Sequence, residues 1–306
     1  MAARDPAGRS RMAAAPFKQY RSPESSQEVV ELLTRYGEAA VLLAGGTFLH
    51  GLAARGLMSK MEALISLQKA GLDYVKPQGG SLTIGAMATF RELLDASPVK
   101  GRPELGAIAD ALEYPPPQIL NAATVGGSTA SAYPLFDLPV ALIALGGAVV
   151  AQGPGGRREI KLEQFFLDYF RHALGKGEFL AEVIVPKLPD RSASAFLKLE
   201  TNANDLALLN VGVRVTIDEE GLCRGAVVAF GGGIGGVPVR AATCETYLEG
   251  SRLSAKLLDE SAQAVTHDVH PISDHRASAR YRATAAKVLA RRALIRALAR
   301  LGLEFG

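Results

Sequence analysis

The pattern of apolar positions after residue 25 predicts a helix, a strand and a glycine turn in succession. Apolar side chains at positions 29, 30, 32, 33 and 36 recur at helical spacing, and Ser25 with Glu28 forms a candidate capping box before them. Residues 41–44 form a short apolar run, which predicts a buried strand. This strand leads directly into Gly45-Gly46, so the chain is expected to turn there.

Short apolar runs and turn signals predict further elements up to residue 191. Strands are expected at residues 64–67, 72–75, 82–84, 148–152 and 179–185. Helices are expected at residues 90–94 behind Thr89, at 103–112 and at about 135–145. Pro115, Pro116 and Pro117 cannot continue a helix, so they predict a rigid connector that presents Tyr114. A hairpin turn is expected at residues 153–156 and a linker at 186–191.

The last third of the chain predicts an antiparallel sheet followed by helices. Apolar and polar residues alternate in three segments, which are expected to be strands: residues 195–199, 209–217 and 224–230, with a hairpin turn at 218–221. Helices are predicted at residues 242–248, 255–264 and 277–301. The last helix carries basic residues that form either a solvated face or a docking face for an acidic partner chain: Arg280, Arg282, Lys287, Arg291, Arg292, Arg296 and Arg300.

Composition limits the class of the protein. A chain of 306 residues with 48% apolar residues can bury a large core, and two or three packed units are expected. The formal net charge is only +3, and the basic residues are scattered apart from the last helix, so nothing favours nucleic-acid binding. The longest apolar run, residues 138–151, is too short for a membrane span. The first fifteen residues lack the apolar core of a signal peptide, so we expect a disordered leader and a cytoplasmic protein.

The cysteine and histidine residues give little sign of a metal site. Cys223 and Cys244 could pair, but they are expected to be free thiols, and two thiols cannot hold an iron–sulfur cluster that needs four. His267 and His270 lie three positions apart and could share a helix face, although polar positions in a loop or at a helix end are expected. No constellation typical of hydrolysis is present, so no catalytic side chain is nominated.

Two glycine-containing segments about eighty residues apart carry the strongest chemical signal. The first is Ala44-Gly45-Gly46-Thr47, and the second is residues 123–128, with the sequence Ala-Thr-Val-Gly-Gly-Ser. Each is expected to be a turn whose backbone N–H groups no side chain covers. Either alone is ambiguous, but two such turns facing each other would cradle a pyrophosphate, which points to a dinucleotide. Asp137 is either a helix-end carboxylate or an acceptor for sugar-alcohol hydroxyls.

A third glycine cluster, residues 231–236, formally matches the G-x-G-x-x-G pattern and follows a predicted strand. A dinucleotide-binding fingerprint also requires a helix that opens at the last glycine. Pro238 interrupts any such helix, so the cluster is interpreted as a flexible connector.

The order and spacing of short motifs resemble the FAD-binding medium subunit of molybdenum hydroxylases, the superfamily of xanthine dehydrogenase, carbon monoxide dehydrogenase and 4-hydroxybenzoyl-CoA reductase. The resemblance covers the chain from about Phe17 onwards. It rests on both glycine segments and on these further motifs: Pro134 with Asp137-Leu138-Pro139, Ile84-Gly85-Ala86 with Thr89, Pro238-Val239-Arg240-Ala241 with Glu245 and Leu248-Glu249-Gly250, and Asp274-His275-Arg276-Ala277-Ser278 with Tyr281-Arg282.

The resemblance implies an α+β fold. It comprises a two-subdomain FAD-binding fold of the vanillyl-alcohol-oxidase or PCMH type, followed by a C-terminal three-stranded antiparallel sheet with a helical bundle. The expected division is residues 1–16 as leader, 17–70 and 71–188 as the two FAD-binding subdomains, and 189–306 as the C-terminal α+β domain.

The same resemblance implies which residues would contact FAD. The first glycine segment and its neighbours would contribute Leu43, Ala44, Gly45, Gly46, Thr47, Phe48 and Leu49. The second would contribute Ala123, Thr124, Gly126, Gly127 and Ser128. Ser131 and Asp137 align with residues that bind the polar chain of the flavin, whereas Leu180 and Lys198 align with positions that line the isoalloxazine ring. Tyr114 would lie against that ring; the alternatives for Tyr114 and Lys198 are a packed tyrosine and a surface lysine.

The implied function is that of an electron-transfer subunit with FAD as its cofactor. A large subunit would oxidise the substrate at a molybdopterin centre, and a small subunit would pass electrons through two [2Fe–2S] clusters to this FAD, so a heterotrimer is expected. Six positions depart from the family pattern: Phe48, Ser128, Ser131, Tyr133, Leu135 and Phe136. The bulk of Phe48 and Tyr133 motivates one alternative, a scaffold subunit without FAD. The other alternative is a stand-alone FAD oxidoreductase.

Overall fold

The computed structural model describes residues 17–54, residue 58 and residues 60–305. The predicted leader, residues 1–16, therefore lies outside the described residues. The first elements are β1 Gln19–Arg21, α1 Ser26–Tyr36, β2 Ala40–Leu43, α2 Leu49–Ala54 and β3 Ala63–Ser66. The three strands form a parallel sheet in the order β1-β3-β2, on which α1 packs.

Helix α1 begins and ends at the predicted signals. Ser25 Oγ accepts a hydrogen bond from the Glu28 amide at 3.2 Å, and the helix ends at Gly37, whose φ is +52°. The predicted capping box is incomplete, because the Glu28 carboxylate accepts from the amide of Glu24 at 2.8 Å instead of that of Ser25. Strand β2 is half-buried along its length rather than fully buried, because it leads to the surface at the first glycine segment.

Seven strands follow: β4 Val75–Gln78, β5 Ser81–Gly85, β6 Ala148–Gly153, β7 Gly156–Lys161, β8 Phe166–Asp168, β9 Arg171–His172 and β10 Phe179–Val185. Five of them form an antiparallel sheet in the order β4-β5-β10-β6-β7, while β8 and β9 form a hairpin that was not predicted. The strand expected at residues 72–75 begins only at Val75. Residues 72 and 74 lie in an irregular approach to it, in which Leu72 O still accepts from the Met87 amide at 2.9 Å.

Six helices lie between or beside these strands: α3 Phe90–Asp95, α4 Gly106–Leu112, α5 Pro117–Ala122, α6 Val125–Ala130, α7 Leu138–Ala144 and α8 Leu162–Phe165. Thr89 and Glu92 complete a capping box at α3. The proline connector ends at Pro117, which is the first residue of α5. A proline fits this position because the amide that it lacks would have no hydrogen-bond partner within the first helical turn. Helix α7 starts at Leu138, a few residues later than expected, with a proline in its first turn.

The C-terminal elements are β11 Ser192–Leu199, β12 Leu209–Ile217, β13 Cys223–Gly232, β14 Val239–Arg240, α9 Ala242–Leu248, α10 Ala255–Ala264 and α11 Ala279–Ala299. The three predicted strands form an antiparallel sheet, to whose edge the two-residue β14 adds a fourth strand. The bounds of β12, α9 and α10 are those that the sequence predicts.

The C-terminal sheet is covered on both faces. Alternate residues of β12, such as Val211 and Val213, lie in an apolar core with α9, α10 and α11. Gly212 points the other way, where a Cβ would lie 2.9 Å from the backbone oxygen of Val140 in α7. Helices α4 and α7 therefore pack closely on this face. The division of the chain at residues 70 and 188 stays a prediction.

Candidate functional site

The first glycine segment connects β2 to α2 and leaves a row of backbone amides without acceptors. Gly46 has a φ of +71°, which a residue with a Cβ rarely adopts. The amides of Gly45, Gly46, Thr47 and Phe48 donate to no other residue in the part of the chain that the structure describes. Consecutive amides of this kind form a concavity that attracts anions. The predicted turn with uncovered N–H groups is therefore present here.

The second glycine segment differs from the predicted turn, because it is the first turn of α6. The Val125 and Gly126 amides donate to the backbone oxygens of Ala88 at 2.9 Å and Ala86 at 3.0 Å. Thr124 is the N-cap residue, and its Oγ1 accepts from the Gly127 amide at 3.1 Å. The expectation that no side chain covers these amides is wrong for this segment, since the protein itself satisfies all three.

The two glycine segments lie against each other. A Cβ on Gly45 would overlap the backbone oxygen of Ala122, immediately before Ala123, and a Cβ on Gly127 would lie 3.5 Å from the Cβ of Ala44. A Cβ on Gly126 would lie 2.5 Å from that of Ala86. The glycines thus permit backbone segments distant in sequence to approach within contact, as the pairing of the two motifs predicts.

Four further predicted site residues lie beside the two glycine segments. None of their side chains makes polar contacts to both segments. Ser131 Oγ donates to the backbone oxygen of Ser128 at 2.8 Å, at the end of α6. Leu43 ends β2 and Leu49 begins α2, so they flank the free amides. Leu180 is buried in β10, next to Ala181, whose backbone oxygen accepts from the Ala86 amide at 2.9 Å.

Four aromatic side chains, Phe48, Tyr133, Phe136 and Phe170, form a cluster beside the first glycine segment, which we call the ring cluster. The Tyr133 ring lies 5.4 Å from that of Phe48 and 5.2 Å from that of Phe136. Phe170 stacks on Tyr133 with 5.4 Å between ring centroids and an interplanar angle of 4°. Phe48, Tyr133 and Phe136 are bulky departures from the family pattern, and their rings pack against one another.

Asp137 and Lys198 meet in a buried polar group, which we call the Lys198 cluster, together with Tyr114, Glu200 and Asn210. Lys198 Nζ lies 3.0 Å from Asp137 Oδ2 and 3.2 Å from Glu200 Oε2; the second contact lacks hydrogen-bond geometry and acts through charge. Asn210 Nδ2 donates to Asp137 Oδ1 at 2.7 Å. The Lys198 side chain is only 4% exposed, so the surface-lysine alternative is wrong.

Tyr114 also belongs to the Lys198 cluster, through two contacts. Its hydroxyl accepts from the backbone amide of Lys198 at 3.1 Å, and Lys198 Nζ lies 5.0 Å from the ring centroid. The ring also packs edge-on against Phe196, with 6.0 Å between centroids. The proline connector does present Tyr114 at a defined place, and that place is beside Lys198.

Burial shifts the acidity of this cluster. Burial raises the pKa of Asp137, against the opposing effects of the Lys198 charge and of the hydrogen bond from Asn210. Burial likewise raises the pKa of Tyr114. Asn210 Oδ1 is buried without a hydrogen-bond partner among the described residues. The cluster thus combines charges of both signs with unused polar capacity, which is typical of a binding site.

Sequence reasoning missed Asn210, Glu200 and Phe170. Asn210 is one of three polar residues in β12, and only the covering of both sheet faces makes that position buried. Glu200 directly follows β11 and lies two positions after Lys198. Phe170 reaches the site through the β8–β9 hairpin, for which the chain carries no glycine or proline turn signal.

The remaining candidates lie elsewhere. His267 and His270 are exposed, and no group of three or more metal-ligating side chains exists within the described ranges. Cys223 and Cys244 are free and buried, and burial raises their pKa values to about 11 and about 12. None of the helices formed by described residues is long and apolar enough to cross a membrane.

The third glycine cluster is a packed connector rather than a nucleotide site. No helix opens at its last glycine, as predicted, and a Cβ on Gly233 would overlap the guanidinium of Arg282. Arg282 is itself buried and donates to both carboxylate oxygens of Asp274 at 2.8 Å. Arg282 of the C-terminal motif therefore holds the connector at residues 231–236 in place. The connector is closely packed, whereas the sequence predicted a flexible segment.

Several basic side chains of α11 make contacts within the chain. Arg296 Nη2 and Arg300 Nη2 both lie 2.6 Å from Oδ1 of the buried Asp110 in α4. Arg291 forms an ion pair with Asp259 in α10. These residues therefore hold α11 to its neighbours, so neither a solvated face nor a docking face describes the whole set.

Comparisons with known proteins agree with this architecture. The family described as the FAD binding domain in molybdopterin dehydrogenase matches residues 15–188, and the CO dehydrogenase flavoprotein C-terminal domain matches residues 194–297. The 6-hydroxypseudooxynicotine dehydrogenase complex subunit alpha of Paenarthrobacter nicotinovorans is 31% identical, over 93% of this chain and 96% of the relative. The carbon monoxide dehydrogenase medium chain of Afipia carboxidovorans is also 31% identical, over 92% and 96%.

Solved structures give the same result. Carbon monoxide dehydrogenase from Hydrogenophaga pseudoflava contains a chain that matches with a TM-score of 0.88 and 29% identity, over 94% of this chain and 99% of that one. Quinoline 2-oxidoreductase from Pseudomonas putida 86 matches with a TM-score of 0.85 and 25% identity, over 94% and 99%. The chain therefore belongs to the FAD-binding medium subunits of the molybdenum hydroxylases, a family of oxidoreductases.

Proposed function

We propose that this chain transfers electrons, through FAD, between the [2Fe–2S] clusters of a small subunit and an external acceptor. A large subunit would oxidise the substrate at a molybdopterin centre, and the three subunits would form a heterotrimer. Support comes from relatives that are named as medium chains or as subunits of dehydrogenase complexes. FAD supplies the electron-transfer chemistry, so the task of this chain is to bind it, orient it and control its surroundings.

The row of unbonded amides at residues 45–48 is the observation that carries the proposal. Four neighbouring N–H groups without acceptors in the described structure match the charge of a pyrophosphate. They lie where the two glycine segments meet, and the close packing of Gly45 on Ala122 fixes their position. The residues present therefore fit FAD at the point where the family motif predicts it.

We assign different tasks to the two glycine segments. Gly45, Gly46, Thr47 and Phe48 would bind the pyrophosphate through their amides. Residues 123–128 would support that row by packing, because the amides of Val125, Gly126 and Gly127 are already satisfied. This division explains why the second segment needs glycines although those amides have no capacity for a ligand.

The Lys198 cluster would bind the polar chain and the ring system of the flavin. Asp137 Oδ1 and Oδ2 can accept from the hydroxyl groups of a ribityl chain, and Asn210 fixes the orientation of this carboxylate. Asp137 and Glu200 hold the Lys198 ammonium in place, so that it can donate to a flavin carbonyl. Ser131, Leu180 and Tyr114 would complete the contacts.

The absorbance spectrum of the purified chain tests the binding part of the proposal. We expect the two visible bands of a flavin, release of FAD on denaturation, and one FAD for each chain. A folded, colourless chain that does not take up FAD would instead support the scaffold alternative.

Reduction of the bound flavin tests the transfer part. We expect substrate to reduce it only when the molybdenum and [2Fe–2S] subunits are added back to the chain. Turnover of an organic substrate by the isolated chain would support the stand-alone oxidoreductase and contradict the proposal.

A further inference from the structure

The β8–β9 hairpin carries an aromatic ring to Phe48 and Tyr133 from about forty residues beyond the second glycine segment. Phe170 lies at the tip of the hairpin, and its amide donates to the backbone oxygen of Ala132 at 3.0 Å. Its ring stacks on that of Tyr133, the residue after Ala132. The backbone contact and the ring contacts with Tyr133 and Phe48 therefore place Phe170 beside the end of α6.

Both residues of this backbone contact adopt a left-handed conformation. The φ angle is +57° at Phe170 and +43° at Ala132. Only four non-glycine residues in the described part of the chain have a positive φ, and two of them meet here. Such a conformation is disfavoured for a residue with a Cβ, and it persists mainly where the surroundings enforce it, often at ligand clamps.

The base of the hairpin is firmly held. Asp168 Oδ1 accepts from the Tyr169 amide at 2.8 Å, and a Cβ on Gly236 would overlap this carboxylate oxygen. The His172 ring stacks on the buried Phe165, with 5.5 Å between ring centroids and an interplanar angle of 14°. The hairpin is therefore a fixed support that presents its tip to the site.

The ring cluster connects the two halves of the proposed FAD site. It begins at Phe48, which directly follows Thr47, and it includes Phe136, which directly precedes Asp137. A ligand that reached from the amides of residues 45–48 to Asp137 would therefore run beside these rings. Phe170 is 50% exposed although its ring stacks on those of Tyr133 and Phe48, so part of the residue is still accessible to a ligand.

We propose that Phe170 is a cofactor-binding residue that covers bound FAD with the exposed part of its ring. The contact between Phe170 and Ala132 keeps the ring in place, and the cover slows the release of FAD and limits the access of solvent. This inference rests on the proposed function, since it requires that the chain binds FAD. It adds a part of the site that the glycine motifs do not contain.

The test compares variants of the FAD-loaded full chain. Phe170→Ala removes the ring, Phe170→Leu keeps apolar bulk without aromatic stacking, and Phe170→Tyr keeps the ring. Leu167→Ala is the matched control, because Leu167 lies on the same hairpin, is 55% exposed and lies outside the ring cluster. The readouts are the rate of FAD release and the quenching of flavin fluorescence by iodide.

We expect Phe170→Ala and Phe170→Leu to release FAD about threefold to tenfold faster than the wild type, which is the effect of losing one aromatic contact. Iodide should quench their flavin fluorescence more strongly. Phe170→Tyr and Leu167→Ala should behave as the wild type. Circular dichroism of each variant shows whether it is folded. If Phe170→Ala does not fold, Phe170→Leu alone tests whether loss of the ring speeds FAD release.

Two results would overturn the inference. One is wild-type release and quenching in both folded ring-deleted variants. The other is an equal change in Leu167→Ala, which would show that the hairpin acts through general packing. A wild-type chain that binds no FAD would instead contradict the proposed function, so the two failures are distinguishable.

Discussion

The first and second glycine segments share a Gly-Gly pair beside a threonine, but their backbone amides have different partners. In the first segment, the amides of residues 45–48 have no acceptor among the described residues. In the second, the amides of residues 125–127 donate to Ala88, Ala86 and the Thr124 hydroxyl. Similar motifs therefore leave amides free for a ligand in one place and form packing contacts within the chain in the other.

The difference shows that a glycine pair does not by itself identify a ligand site. Gly45, Gly126 and Gly233 all lack room for a Cβ, because Ala122, Ala86 and Arg282 lie against them. Close packing thus explains glycine at all three positions. Only the unbonded amides distinguish the segment that can hold a phosphate from those that cannot.

The largest effect should come from breaking the contact between the two segments. Gly45→Ala places a Cβ on the Ala122 carbonyl oxygen, which is backbone and cannot move aside. We expect a loss of about 3 kcal/mol or more in the free energy of unfolding, measured with urea, together with loss of FAD. Gly51→Ala is the control, because nothing lies near a Cβ there and alanine favours helix α2. Equal stability of the two variants would contradict the account.

A smaller effect is expected in the third glycine cluster. In Gly233→Ala, the new Cβ would overlap the Arg282 guanidinium. This group is the end of a side chain and not backbone as at Gly45, although the side chain is buried. We expect a loss of about 1–3 kcal/mol in the free energy of unfolding with unchanged FAD affinity in the variant that remains folded. Gly155→Ala, at an open position in the β6–β7 turn, provides the baseline. A marked loss of FAD affinity in folded Gly233→Ala would show that the connector belongs to the site.

The two threonines should give opposite results. Thr124→Val removes the N-cap of α6 and should cost about 1 kcal/mol of stability, measured by urea unfolding of the FAD-free chain. Thr47→Val should leave that stability unchanged, since the Thr47 hydroxyl has no partner in the described part of the chain. It should instead weaken FAD binding about threefold to tenfold, measured by titration, because the Thr47 hydroxyl would donate a further hydrogen bond to the phosphate beside the amide row. The reverse pattern would mean that the tasks of the segments are exchanged.

The smallest effect concerns the pH dependence of stability. Burial raises the pKa of Asp137 in the folded chain above its pKa in the unfolded chain. Protonated Asp137 therefore contributes fully to the free energy of unfolding below the unfolded-state pKa. This contribution is lost as pH rises through the folded-state pKa. Asp137→Asn should remove this loss, so the wild type should weaken relative to the variant as pH rises above about 4. Urea unfolding of the FAD-free chain over a pH series measures it. Parallel curves for the two proteins would contradict this assignment.

The sequence predicted the regular elements where alternation or spacing was strong. The bounds of β12 follow from its alternating valines, and those of α10 follow from its apolar spacing. Helix α6 was missed because two glycines disfavour a helix, whereas packing on Ala86 and the Thr124 cap stabilise it. The β8–β9 hairpin was missed because its tip uses Tyr169 and Phe170 instead of residues that favour a turn.

The sequence named candidate site residues but could not predict how they are grouped. The motifs named Asp137 and Lys198 separately, while only the tertiary fold shows that they form one buried ion pair. Asn210 joins them because β12 lies against α7, a contact between segments about seventy residues apart in sequence. No local pattern encodes such a contact, since it depends on the register of the sheet and on the packing of its second face.

The most direct test of the amide row compares FAD with riboflavin, which has the ring and the ribityl chain but lacks the pyrophosphate and the adenosine attached to it. Both ligands are titrated into the flavin-free chain, and the dissociation constants are measured by fluorescence. We predict that FAD binds at least about 100-fold more tightly, because charge-assisted hydrogen bonds from the row are lost with riboflavin. Equal affinities would contradict the claim that residues 45–48 hold the pyrophosphate.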